Sequence, residues 1–251
     1  MAAETENNNI GPNEEAHRTS LLELLEDRNR SLNRKYLVHR LVYISKISST
    51  NVDRNTIGSY YESFMKKLQQ DYSGSEPITG LMLIYLKHIV HVVETSSDVI
   101  LKIVEDLLRN ETETDSFVSK SKILVISHDI TIRLYSQWSY RTLDIVEHGI
   151  EAFDTKESFE NLIVDLLTQL LKLGVFLYKQ PKPNLKNAMD SLHDKVPDLL
   201  PQQSVVHYLL EESDGSMITP KEFVDLHEKP FDTYLESDMV WPIPIRLFPY
   251  N

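Results

Sequence analysis

The chain has 251 residues, a formal net charge of −12 and a hydrophobic fraction of 41% that includes 12 Tyr and 8 Phe. At roughly 150 residues per domain this is one domain with an extension or two small ones, with enough apolar material for a packed core. Zero cysteines excludes a disulfide framework, a thiolate metal site and a Cys nucleophile. The acidic balance disfavours phosphate-backbone and anionic-membrane partners. No apolar run is read as long enough for a membrane span, and the acidic start Met1-Ala2-Ala3-Glu4 is unlike a signal peptide, so a soluble cytoplasmic protein is expected.

Residues 1–18 are polar and read as a disordered tail. A helical lead-in over 19–35 follows, with Leu21, Leu22, Leu24 and Leu25 behind a Thr19 or Ser20 cap. Tyr36 to Ser45 is rich in β-branched and aromatic residues and apolar on both faces, which predicts a buried central strand. From Asp53, the spacing of Ile57, Tyr61, Phe64 and Leu68 predicts a helix with those four on one face, stopped near Gly74 and Pro77. Strands over Ile78–Leu86 and Ile89–Glu94 then leave only Lys87-His88 for a hairpin turn.

A second helix is predicted from a Ser97 cap, with Val99, Ile100, Ile103, Val104, Leu107 and Leu108 as its apolar stripe. A fourth strand falls over Lys122–Ile126 and a fifth near Trp138. The order β-α-β-β-α-β-β predicts an α+β, ferredoxin-like sheet carrying two helices on one face and one extra strand. The division is then 36–148 for this domain and 149–251 for a mainly helical extension with an extended C-terminal tail. Within the extension, Phe159, Leu162, Ile163, Leu166, Leu167, Leu170 and Leu171 predict a long amphipathic helix from about Thr155 to Tyr178. Its last turns, from Leu173, are apolar nearly all round and call for more than one neighbour. That helix either crosses the sheet of its own domain or binds a partner. The tail Trp241-Pro242-Ile243-Pro244, with Phe248 and Tyr250, either wraps its own surface or docks on a partner in extended form.

Chemical motifs are sparse. His88 and His91 spell H-x-x-H, but a turn and a strand give them different orientations, unlike the helical pair of a zinc site. His91 shares a strand face with Ile89 and Val93, which points to a core histidine bonded to a neighbour such as Tyr43. Ser127-His128-Asp129 reads as a turn, since triad members meet in space and are rarely sequence neighbours. Asp214 to Phe223 resembles the exit of a calcium loop, yet Glu222 falls one position late, and Thr219-Pro220-Lys221-Glu222 is better read as a capping box. No phosphate-cradling loop or nucleophile elbow is present.

Leu41-Val42-Tyr43-Ile44-Ser45, Ile78 to Leu83, Ile89-Val90-His91-Val92-Val93-Glu94 and Arg133-Leu134-Tyr135-Ser136-Gln137-Trp138-Ser139, in this order, resemble the BLUF family of FAD-binding blue-light sensors. The resemblance covers residues 36 to about 143. It implies a flavin position bordered by Tyr43, Ser73, His91 and Trp138. Of these only Tyr43 keeps the family's residue. His91 stands where the family has a glutamine, Ser73 stands near its asparagine, and Glu111 and Glu113 replace basic residues that help hold the cofactor. A vestigial flavin pocket and no cofactor are therefore expected, and no enzymatic activity. As a whole the chain resembles a vertebrate family of testis-expressed proteins. That likeness implies an interaction protein of the sperm flagellum or cilium, with axonemal protein partners met in part through Trp241, Phe248 and Tyr250, and with neither nucleic acid nor membrane. The alternative is an FAD-binding light or redox sensor with an altered pocket.

Overall fold

The computed structural model describes residues 19–31, 36–48, 53–113, 116–145, 150, 155–212, 215 and 217–229. The expected tail over 1–18 and the segment carrying Trp241, Phe248 and Tyr250 lie outside the described residues. Helix α1 (Leu21–Ser31) opens with a capping box: the Glu23 N–H donates to Ser20 Oγ (3.2 Å) and the Ser20 N–H donates to the Glu23 carboxylate (2.7 Å). No α1 residue is buried, and an Arg28–Asp129 ion pair at 2.6 Å ties the helix down.

Next come β1 (His39–Ile47), α2 (Arg54–Asp71), β2 (Thr79–Ile84), β3 (His88–Thr95), α3 (Ser97–Thr112), β4 (Val118–Ser127) and β5 (Trp138–Thr142). The strands form one mixed sheet in the order β4-β1-β3-β2-β5, antiparallel throughout except for the parallel β2–β5 pair. This is the predicted α+β class: a ferredoxin-like four-strand order with a fifth strand added at the β2 edge. Strand β3 is the central one, and β1 lies beside it.

Three local expectations shift. The hairpin turns on Leu86-Lys87, because the Tyr85 N–H donates to the His88 carbonyl (2.8 Å) and thereby draws His88 into the strand. The cap of α3 is Ser96, whose hydroxyl bonds to Ser75 (3.2 Å) rather than to the helix backbone. On α2 Met65 is fully buried while Phe64 is half-buried.

The extension supplies α4 (Phe159–Tyr178), α5 (Lys182–Asp190), α6 (Leu192–Lys195), a 3-10 turn at Pro197–Leu199, α7 (Gln203–Glu211) and α8 (Pro220–Glu228). Helix α4 starts four residues later than Thr155. The Glu157 N–H satisfies the Thr155 hydroxyl in a local turn (3.1 Å), and Ser158 caps the helix. Its buried positions, Leu162, Leu166, Leu170, Leu173 and Leu177, repeat every three or four residues. They pack with α7 onto the sheet face carrying Val42, Ile44, Leu81, Leu83, Val90 and Val92. Helices α2 and α3 cover the opposite face. The extension is thus the third layer of the fold, which explains why the strands read as continuous apolar runs.

The last turns of α4 are not enclosed as expected: Val175 and Tyr178 face outward. By length and composition α4 could also cross a membrane, contrary to the reading of the sequence, although one side of it is built into this core. After α7 the chain passes the outer edge of β4, where the Ile123 N–H donates to the Ile218 carbonyl (2.9 Å). Helix α8 begins with the predicted Thr219–Glu222 capping box and seats Phe223 and Val224 on the α2–α3 side.

Candidate functional site

Antiparallel register sets Tyr43 on β1 directly across from His91 on β3, both pointing toward α2 and α3. The parallel β2–β5 pairing brings Trp138 alongside. The Trp138 indole N–H donates to His91 Nε2 (2.8 Å), and His91 Nδ1 lies 2.7 Å from the Tyr43 hydroxyl. Indole can only donate, so Nε2 must accept, and the proton of the neutral imidazole sits on Nδ1. His91 therefore donates to Tyr43, whose own O–H is left to point elsewhere. Burial pulls the His91 pKa down to about 3, which keeps the ring neutral. Burial likewise raises the Tyr43 pKa well above the usual phenol value, with the neighbouring Tyr61 adding to the effect.

The roof over this row is aromatic. Tyr61 of α2 meets the His91 ring edge-on at 6.0 Å, and its buried hydroxyl neighbours that of Tyr43 without a well-formed hydrogen bond. Tyr140 of β5 lies against Gly58 of α2, where any Cβ would collide with the Tyr140 ring. Farther along, the Tyr60 hydroxyl donates to Asp106 (2.7 Å), and Asn110 donates to the same carboxylate (3.1 Å). Arg109 pairs with Asp106 as well. This polar clasp between α2 and α3 was not foreseen. Its signal in the sequence is Asp106 and Asn110, four residues apart beside the apolar stripe of α3.

Glu94, at the end of β3, is also fully buried. It accepts from Arg40 (2.7 Å), from Thr79 (3.1 Å) and from the Leu134 N–H (3.0 Å). The segment leading into β5 is thereby fixed, and with it the placement of Trp138. A buried charge is tolerable only when paired and hydrogen-bonded in this way.

Of the four residues expected around the flavin position, the structure brings together Tyr43, His91 and Trp138. Ser73 is exposed in the turn after α2 and shares none of their hydrogen bonds. His88 faces the other side of the sheet, 3.3 Å from His207 of α7, with its pKa lowered to about 4 mainly by burial. The H-x-x-H pair is thus split between two layers. Among the described residues no group of three or more His, Asp or Glu could hold a metal. Ser127, His128 and Asp129 do not converge either: His128 meets His39 (3.1 Å) and Asp129 turns to Arg28.

Space of ligand size lies elsewhere. A groove of about 550 Å³ runs along β5, lined by Trp138, Ser139, Tyr140, Arg141, Lys186 and Met189. Tyr43 and His91 do not border it.

The chain is similar to several solved structures. A bacterial light-regulated adenylyl cyclase matches at 21% identity and a TM-score of 0.35, over 62% of this chain and 40% of that one, so the chain spans well under half of the cyclase. The BLUF domain of BlrP1, a Klebsiella pneumoniae protein, matches at 15% identity and a TM-score of 0.34, over 64% and 92% of the two chains. BlsA in its photo-activated state matches at 17% identity and a TM-score of 0.32, over 66% and 98%. The model of the family described as Testis-expressed protein 47 matches residues 37–229, most of the chain, and this protein belongs to that family.

Proposed function

We propose that this chain is a non-enzymatic structural and interaction protein of the sperm flagellum or cilium, built on a BLUF-like sheet whose flavin position is occupied by its own side chains. One observation carries the flavin part: both ring nitrogens of His91 are committed, Nε2 to the half-buried Trp138 and Nδ1 to Tyr43, and His91 and Tyr43 are themselves fully buried. A histidine with no free nitrogen has nothing to offer the polar edge of a flavin. Glu111 and Glu113, at and just after the last turn of α3, offer carboxylates where a pyrophosphate would need cations. Support for the flagellar setting comes from family membership, and the attachment is to protein neighbours, with Trp241, Phe248 and Tyr250 as proposed contacts.

The test of the pocket is an absorption spectrum of purified protein, in the dark and under blue light, before and after incubation with FAD and desalting. A colourless protein that retains no flavin is expected. Retained flavin bands would overturn the reading in favour of a sensor with an altered pocket. Affinity purification from flagellar extract tests the second half, and recovery of no stable partner would count against it.

A further inference from the structure

Helix α4 has a second apolar face that stands exposed among the described residues. Val164 is 57% exposed, Leu171 42%, Val175 40% and Tyr178 66%. With the half-buried Thr168 these positions follow a 4-3-4-3 spacing over two heptads, a straight stripe of about 21 Å at 1.5 Å per residue. The stripe lies apart from the leucines that face the sheet and takes no part in the core formed by the described residues.

The charges beside the stripe are segregated along the helix. Glu160 and Asp165 flank its N-terminal half, Lys172 and Lys179 its C-terminal half, and all four are exposed with no ion pair among the described residues. The helix dipole favours acid first and base last, but its effect fades within the terminal turns. It therefore does not account for Asp165 and Lys172, which lie about two turns inside, nor for an apolar strip between the two groups.

We infer that this face is a self-association surface on which two copies of the chain pair their α4 helices antiparallel. Asp165 and Lys179 are equidistant from Lys172, and Val164 and Tyr178 are equidistant from Leu171. A two-fold axis near residues 171 and 172 therefore sets Asp165 of each copy beside Lys179 of the partner subunit, and Val164 over Tyr178, while the two Lys172 side chains meet near the axis, where they stay exposed to water. Glu160 also falls toward the basic half of the partner. Parallel pairing would instead place acid on acid and base on base along the whole contact. A second copy is the occupant whose charge order these residues match, and the surface is isologous as a two-fold dimer requires. A lipid surface would favour a uniformly basic rim, which this face lacks. The inference stands apart from the flavin position and from the flagellar setting.

The test is sedimentation equilibrium of the full chain, with a mass near twice 29.1 kDa expected in the micromolar range. Lys172→Glu with Lys179→Glu makes the flanks of the stripe wholly acidic and should raise the dimer dissociation constant by roughly tenfold or more, given several exposed charge pairs at up to about 1 kcal/mol each. Glu160→Lys with Asp165→Lys should do the same, and mixing the two variants should restore dimers. Because the chain has no cysteine, single-Cys variants report orientation directly. Val164→Cys mixed with Tyr178→Cys should give an intermolecular disulfide, and Val164→Cys alone should not. A monomer up to about 100 μM, weaker than the interfaces of stable dimers, would overturn the inference. So would a dimer indifferent to the charge changes, a disulfide between two copies of Val164→Cys, or a monomer that binds neutral lipid vesicles instead.

Discussion

Trp138, His91 and Tyr43 show how one donor-only group fixes a whole row. The indole N–H has no alternative role, so the imidazole tautomer and the direction of its second bond follow from it. Nitrogen NMR should find His91 with a protonated Nδ1 and a bare Nε2, unchanged as pH falls from 8 to 5. Trp138→Phe removes the donor and leaves a buried acceptor unpaired, at a cost of about 1–3 kcal/mol, read as a fall of several degrees in Tm. Acid sensitivity follows with a definite sign. The folded pKa of His91 is about 3 and that of His88 about 4, against an ordinary value of 6.5. The unfolded chain thus binds more protons between these limits, so stability is full above about pH 6.5 and is lost progressively as pH falls through that window. His91→Gln should flatten part of this dependence, since an amide can accept from Trp138 and donate to Tyr43 without titrating. Equal loss of Tm between pH 7.5 and 5 in wild type and variant would refute this. The Tyr43–His91 bond was legible from strand alternation. Trp138 as the third member came only with the resemblance to the BLUF family, because its place depends on a parallel pairing across nearly 60 residues, which no local pattern encodes.

Elements meet through a few positions where size decides the sign of a substitution. Gly58 sits inside α2, where glycine ordinarily costs about 0.5–1 kcal/mol relative to alanine. Here the Tyr140 ring fills the space of a Cβ, so Gly58→Ala should destabilise by about 1–3 kcal/mol in urea unfolding. In a Tyr140→Ala background the same change should become neutral or stabilising, and a cost that persists would mean that something other than the ring is crowded. Gly80 differs in kind. A Cβ there would meet the Val92 carbonyl of the neighbouring strand, and backbone cannot step aside. Local chemistry marked the elements well. Thr219 was readable as a cap because Glu222 completes its box, whereas between Thr19 and Ser20 the structure decides for Ser20, which pairs with Glu23 in the same way. Ser97 was misplaced by one residue since Ser96 is an equally good cap by type, and it was decided by a contact with Ser75 that sequence spacing does not reveal.

At the scale of the molecule, the doubly apolar strands already required cover on both faces, yet nothing local says which later residues provide it. The answer is α4 to α7, and it makes the boundary near residue 148 a change of composition rather than a line between independent units. Burial of Val42, Ile44, Leu81, Leu83, Val90 and Val92 under Leu166, Leu170, Leu173, Leu177 and Leu209 is worth roughly 25 cal/mol for each Å² withdrawn from water. Losing that layer would uncover an apolar patch far beyond what monomers carry. A fragment of residues 36–148 should therefore be insoluble, or should bind a hydrophobic dye strongly and melt without cooperativity. Restoring the chain through residue 229 should recover a sharp transition, because only then does α8 return past the β4 edge and close the α2–α3 side with Phe223 and Val224. A monomeric, cooperatively melting 36–148 fragment would show that the seven elements from β1 to β5 stand alone. The third layer would then be an ornament on the sheet rather than part of its core.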